Sequence, residues 1–242
     1  MLGLPDGVTA CLFDLDGVLT QTAAVHARAW KEMFDQFLKD RDGDGYRAFD
    51  LHADYDEYVD GKPRDAGVRD FLASRGITLP EGSRDDPPSA DTVNGLGTRK
   101  NDLVLAVIRR DGVQPYEGSI AYLRAARDAG LRRAVVSSSH NTVDVLRAAG
   151  IEQYLEARVD GNIADDQHLA GKPHPDTYLA GARALGVEPH QAAVFEDALA
   201  GVEAGRAGRF GLVVGVNRVG QRDALKTHGA DVVVDDLAEL IQ

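Results

Sequence analysis

The sequence predicts an α/β protein: a Rossmann-like, doubly wound parallel sheet, interrupted after its first strand by a helical insertion. Three observations predict it. Residues 8–13 form a short, nearly unbroken apolar run, as expected of a strand buried on both faces. From residue 131 onward, apolar runs of strand length alternate with helical patterns, the signature of parallel strands joined by helical crossovers. Between these regions, residues 22–116 are polar and helical in pattern, with no convincing central strand.

The first strand ends in Phe13-Asp14-Leu15-Asp16-Gly17-Val18-Leu19-Thr20. Two carboxylates two residues apart at the end of a buried strand cost stability unless a cation, hydrogen bonds or a charged ligand compensate them. Gly17 allows the chain to turn sharply there. In the insertion, Val25, Ala29, Met33 and Phe37 recur every fourth residue and predict an amphipathic helix. Further helices are predicted at 65–75 and 91–110, separated by a polar loop at 80–88 that holds the Pro87-Pro88 breaker. Strands are then predicted at 131–136, 157–159, 192–197, 211–216 and 231–234, with helices at 141–149, 176–185 and 199–207. Open α/β sheets bind ligands at the carboxyl ends of their strands, so the residues just past each strand are the candidates for a site.

Composition narrows the function classes. The net charge of −12 argues against nucleic acid as a partner, since backbone phosphates require a basic face. A small phosphorylated substrate remains open, because a local cluster of Lys and Arg can dominate the field in a cleft. Cys11 is the single cysteine; it cannot form an intramolecular disulfide and reads as a buried small hydrophobe. Residues 1–7 have neither a basic nor an apolar targeting region, and no apolar run is long enough to span a bilayer. A cytoplasmic monomer without a membrane partner is the expectation.

Two motifs compete for attention. Asp40-Arg41-Asp42-Gly43-Asp44-Gly45 matches the opening half of an EF-hand loop, but position twelve is Leu51 rather than a bidentate Glu. An acidic solvated loop within 39–54 is the better reading. A non-enzymatic calcium-binding protein would use that loop and leave the strand-end motifs unexplained. Gly95-Leu96-Gly97-Thr98-Arg99-Lys100 starts like a dinucleotide fingerprint, yet it lacks the third glycine and lies in a helical segment.

The strand-end motifs carry a resemblance that covers nearly the whole chain. Asp-x-Asp-Gly after the first strand, Ser137-Ser138-Ser139 after the second, Gly171-Lys172-Pro173 ahead of a helix, and Glu196-Asp197 after a later strand resemble the four ordered motifs of the haloacid dehalogenase superfamily of phosphotransferases. The resemblance implies a core domain over 1–21 and 116–242, and a helical cap over 22–115 that closes over the active site on hinges near 20–22 and 114–118. It implies that Asp14 is the nucleophile that forms an aspartyl-phosphate, and that Asp16 is the general acid and base. It further implies that Lys172 balances charge and that Ser137 and Ser138 help to hold the phosphoryl oxygens. Mg²⁺ would be held by Asp14, the backbone carbonyl of Asp16, and Asp197, with Glu196 acting directly or through water.

The insertion resembles that of the β-phosphoglucomutase branch. Thr22, His26 and Trp30 are spaced four apart on one predicted helix, Asp60-Gly61-Lys62-Pro63-Arg64-Asp65 is a tight polar loop, and Lys100-Asn101 lies on a later helix. The resemblance makes Thr22, His26, Trp30, Gly61, Lys62, Arg64, Lys100, Asn101, Ser138, Ser139 and Asn141 substrate-binding residues. The implied reaction is interconversion of β-glucose 1-phosphate and glucose 6-phosphate through a bisphosphate. A sugar-phosphate phosphatase using the same aspartyl-phosphate is the alternative. Ordinary helix packing competes for His26 and Trp30, and His140 stands where the branch has a Lys.

Overall fold

In a computed structural model of the chain, which describes residues 2–241, two compact units separate: the chain up to Gln21 together with the chain from Val113 onward, and Thr22–Gly112. In chain order the elements are β1 (Ala10–Phe13), α1 (Ala23–Asp42), α2 (Arg64–Ser74), α3 (Val93–Asp111), α4 (Glu117–Asp128), β2 (Arg132–Val136), α5 (Thr142–Ala148), β3 (Ala157–Val159), α6 (Gly161–Asp166), α7 (Asp176–Leu185), β4 (Ala192–Glu196), α8 (Leu199–Ala207), β5 (Leu212–Val216), α9 (Arg222–Thr227) and β6 (Val232–Val234).

The first unit is built on a six-stranded parallel sheet of order β3-β2-β1-β4-β5-β6. β1 therefore lies at the centre, where the order reverses, and its carboxyl end is the switch point at which such sheets bind ligands. Register does the rest. Phe13 pairs with Val135 on one side and Phe195 on the other, so Asp14 falls level with Val136 and Glu196. Ser137 and Asp197 come one residue later on the flanking strands. The sheet is apolar because helices cover its faces. α7 closes on it through Tyr178, Ala182 and Leu185, and a Cβ at Gly181 would sit 2.8 Å from a Val136 methyl, so only glycine permits this approach. Cys11 is fully buried in β1, and burial pushes its thiol up to about 12, so it is an inert hydrophobe. The two stretches of chain that leave and re-enter this unit are tied within it. The Gln21 amide donates to the Gln114 carbonyl (2.8 Å) and the Tyr116 amide to that of Leu19 (3.0 Å).

The second unit is helical. The stripe on α1 is wider than one row: Trp30, Phe34 and Leu38 are buried beside Ala29, Met33 and Phe37. Phe34 stacks on Trp30 and Phe49 (5.3 Å to each ring centroid) and meets Phe71 at 4.1 Å. Phe49 is held in this cluster by its backbone, its amide donating to Asp35 (2.7 Å) and its carbonyl accepting from Lys31 (2.8 Å). A buried Arg75–Asp54 pair (2.5 Å) ties the segment before α2 to its end.

Several elements depart from expectation. α1 runs through Asp42, so Asp40 and Asp42 sit on a helix rather than in the acidic loop expected from 39 onward. Lys and Arg in the last turn favour the helix dipole, and Gly43, at φ 69°, stops it. This placement also removes the EF-hand geometry, which needs its first ligands on a loop. The π-helical turn Tyr55–Val59 has no counterpart among the expected elements. Neither does α4, although Ser119, Tyr122, Leu123 and Ala126 are buried at helical spacing; Ser and Ala weaken the apolar signal. α6 and α9 are too short to show a period. No helix of the described residues is long and apolar enough to cross a membrane.

Candidate active site

In the first unit, the carboxyl ends of the central strands bring Asp14, Lys172, Glu196 and Asp197 together. The Lys172 ammonium donates to Asp14 Oδ1 at 2.5 Å, to Glu196 Oε2 at 2.8 Å and to the Val136 carbonyl at 3.3 Å. Its side chain is 1% exposed, so this is a buried charge satisfied in all three donor directions. Burial works against the ammonium, but the pull of Asp14 and Glu196 outweighs it and holds Lys172 charged well above its ordinary range. For Asp14 the balance is opposite. Burial pushes the carboxyl up, Glu196 pushes it further, and Lys172 opposes both without prevailing.

One ammonium, in contact with two of them, thus stands among three buried carboxylates. Asp14, Glu196 and Asp197 each offer an oxygen, and these oxygens lie within 4.8 Å of one another. Such an excess of buried negative charge fits a hard divalent cation, which takes oxygen ligands. Asp16 sits at a half-buried position in the turn that Gly17 completes. Gly17 has φ +95°, and a Cβ there would lie 1.8 Å from Asp197 Oδ2, so the turn passes directly against the second acidic motif.

The Ser137 segment is shaped by its own hydroxyls. Ser137 Oγ accepts from the Ser139 amide and Ser139 Oγ from the Asn141 amide, both at 3.1 Å, so the chain winds tightly from β2 into α5. Ser138 lies between them. His140 points away along this turn, its Nε2 against Asp165 at 2.8 Å.

In the second unit, Lys100 links two of the sequence-selected residues. Its ammonium lies 4.8 Å from the centroid of the Trp30 ring and donates to His26 Nδ1 at 2.8 Å. An ammonium has no lone pair, so the His26 ring accepts at Nδ1 and a neutral imidazole carries its proton on Nε2. Trp30 itself is 3% exposed within the aromatic core, so packing accounts for its burial. Thr22 stands at the N-terminus of α1, and Asn101 is next to Lys100 on α3. Gly61 turns the loop at φ +70°. Lys62 is committed to that loop, its ammonium donating to Asp70 (2.7 Å) and to the Glu57 carbonyl (3.0 Å). This pairing gives Lys62 a bracing role within the loop. Arg64 opens α2 and lies across Gly97 of α3, where a Cβ would come 3.2 Å from its Nε.

The haloacid dehalogenase-like hydrolase family matches residues 8–209. The chain belongs to that family. Among relatives in it, the β-phosphoglucomutase of Mycobacterium bovis is 57% identical over 247 residues, spanning 100% of this chain and 94% of the relative. That of Bacillus subtilis is 28% identical over 96% of this chain and 91% of its own. A crystal structure of β-phosphoglucomutase from Clostridium difficile superimposes with a TM-score of 0.74 at 25% identity, covering 96% of this chain and 93% of the other.

One group at this haloacid dehalogenase-like site escapes sequence reasoning. Tyr178, on α7, donates its hydroxyl to Glu196 Oε2 at 2.5 Å; burial first, and then Glu196, hold it as a neutral phenol. In sequence it is only an apolar position of a helix, so nothing marks it. Gly201, one turn beyond the acid pair, clears the space for Glu196: a Cβ there would lie 2.0 Å from the carboxyl carbon. The balance of charges makes a prediction. Lys172→Met leaves Asp14 and Glu196 buried without their cation, and should lower the unfolding free energy by about 3–5 kcal/mol in metal-free buffer, read from urea titration. An unchanged midpoint would mean that the carboxylates are compensated elsewhere.

Proposed function

We propose that this protein is a phosphosugar mutase that interconverts β-glucose 1-phosphate and glucose 6-phosphate with the aid of Mg²⁺. The observation that carries the reading is the buried set Asp14, Lys172, Glu196 and Asp197 in one unit, with an arginine, a lysine and a histidine gathered on the helices of the other. Relatives bearing the β-phosphoglucomutase name along the full chain support it.

Bound among Asp14, the Asp16 carbonyl and Asp197, with Glu196 nearby, Mg²⁺ would offset the repulsion between a carboxylate nucleophile and a phosphate ester. The chain's own residues do the rest. The 6-hydroxyl of β-glucose 1-phosphate attacks the phosphorus of phosphorylated Asp14. Asp16 takes the hydroxyl proton while the bond from phosphorus to Asp14 breaks, giving the 1,6-bisphosphate. With the bisphosphate reversed, Asp14 attacks the 1-phosphate and Asp16 returns the proton to the leaving sugar oxygen, releasing glucose 6-phosphate. Lys172 stays protonated throughout and holds Asp14 in place. Ser137, with neighbouring backbone amides, binds the equatorial oxygens where transition-state charge spreads.

The phosphate that is not being transferred needs a separate anchor, which we assign to Arg64. Its planar fork can make two charge-assisted hydrogen bonds to one phosphate. Ser139 and Asn141, and Thr22, His26, Lys100 and Asn101, would contact the sugar and its phosphates. Arg64→Ala should cut isomerisation of β-glucose 1-phosphate by roughly thirty- to a thousandfold, equivalent to about 2–4 kcal/mol of transition-state binding. Hydrolysis of acetyl phosphate, which has no second phosphate, should change little. Phosphorus NMR of the reaction with a trace of glucose 1,6-bisphosphate tests the function itself. Accumulation of glucose 6-phosphate supports the mutase, whereas inorganic phosphate as the main product would make the protein a phosphatase.

A further inference from the structure

The four motifs account for the groups at the site but not for what holds the two acidic turns at their mutual distance. Gly17 approaches Asp197 so closely that no side chain fits between them. The turn after β1 is closed on itself by the Gly17 amide donating to the Thr20 carbonyl and by three donations to the Leu15 carbonyl, from the Leu19 and Thr20 amides and the Thr20 hydroxyl. None of these bonds reaches β4, to which the segment is joined at its start by the Asp14 amide donating to the Phe195 carbonyl at 2.9 Å.

The loop after β5 adds a tie farther along both turns. Arg218 Nε donates to the Gly17 carbonyl at 2.8 Å, and Gln221 Nε2 donates to the Asp197 carbonyl at 2.8 Å. One short segment thus grips the backbone of both acidic turns. Sheet order explains the reach required: β5 neighbours β4 but not β1, so Gln221 contacts the adjacent strand end while Arg218 must extend past it. Arg218 is braced for the purpose. Its guanidinium carbon lies 3.6 Å from the centroid of the Tyr116 ring, and its Nη1 donates to the Asp235 carbonyl at 2.8 Å and faces Asp236 at 3.5 Å. Nη2 is buried without a hydrogen-bond partner among the described residues. A guanidinium held dry on one side is costly, and the fold retains it for the contacts it makes on the others.

We propose that Arg218 and Gln221 are positioning residues that set the separation between the Asp14–Gly17 turn and Asp197, and so tune cation binding by the three carboxylates. The proposal rests on the cation reading of those carboxylates. Partners that orient ligating groups typically govern metal affinity by 10–100-fold, which is the scale expected here.

The test is calorimetric titration of Mg²⁺ into the phosphate-free full chain. The wild type should bind. Arg218→Ala should weaken Mg²⁺ binding roughly 10–100-fold, and Arg218→Lys should not rescue it, because one ammonium cannot serve the Gly17 and Asp235 carbonyls together. Gln221→Ala removes a neutral side chain, leaves every charge in place, and keeps the test alive should the arginine variants fold poorly. It should weaken binding by about tenfold. Wild-type affinity in Gln221→Ala or in folded Arg218→Ala, accompanied only by a lower melting temperature, would make the loop a plain structural brace and overturn the proposal. Failure of the wild type to bind Mg²⁺ would instead refute the cation reading, and this inference with it.

Discussion

Asp14→Asn is expected to bring turnover of sugar phosphates to background, a loss of about 10⁴-fold or more, on the scale seen when a covalent nucleophile is removed. An amide cannot form an acyl phosphate, and it removes one oxygen charge from the acidic cluster. The fold should survive. Burial and the neighbouring Glu196 already disfavour the Asp14 carboxylate, and Lys172 keeps Glu196, Tyr178 remaining beside it. The checks are steady-state kinetics beside a melting curve, with trapping by beryllium fluoride in wild type and variant. An inactive protein with a wild-type melting temperature and no trapped adduct is the expected result. Substantial activity in the variant would move the nucleophile elsewhere.

Asp16→Asn should cost roughly two to four orders of magnitude, the usual worth of a positioned proton-transfer group. The loss should depend on the leaving group. A sugar oxygen is strongly basic and must be protonated as it departs, whereas acetate from acetyl phosphate needs little help. Phosphorylation of the enzyme by acetyl phosphate, followed by rapid quench, should therefore fall much less than transfer to or from the sugar. The backbone carbonyl at position 16 is untouched, so Mg²⁺ binding should change little. Equal losses with both phosphoryl donors would turn Asp16 into a residue of the turn rather than of the chemistry.

Much of this site is legible because its residues come directly after strands. Apolar runs announce buried strands, and the polar residues at their ends, Asp14, Asp16, Ser137, Glu196 and Asp197, stand out against them. Helices with full apolar stripes are equally clear, α7 and α8 falling on the expected bounds. Legibility fails where the decisive property is contact rather than pattern. Gly95 and Gly97 resemble a fragment of a nucleotide motif, and the structure gives them packing roles: a Cβ at Gly95 would strike the Ala90 carbonyl at 2.3 Å, and Gly97 makes room for Arg64. Lys62 stands out as a cation in a loop, yet its partner Asp70 lies two turns into the following helix and cannot be read from a six-residue motif.

By itself, the sequence determined the order of the strands, the place of the insertion, and the chemical identity of the groups at each strand end, because hydrophobic period and residue type are local properties of the chain. Only the tertiary structure decided the charge balance of the site. The parallel register sets Asp14 level with Glu196, and this places Lys172 between two carboxylates 158 and 24 residues away in the chain. Tyr178, Arg218 and Gln221 became visible in the same way. Each acts through a distance of a few ångströms to a group remote in sequence or unmarked by any motif, and such distances arise only when the sheet is assembled.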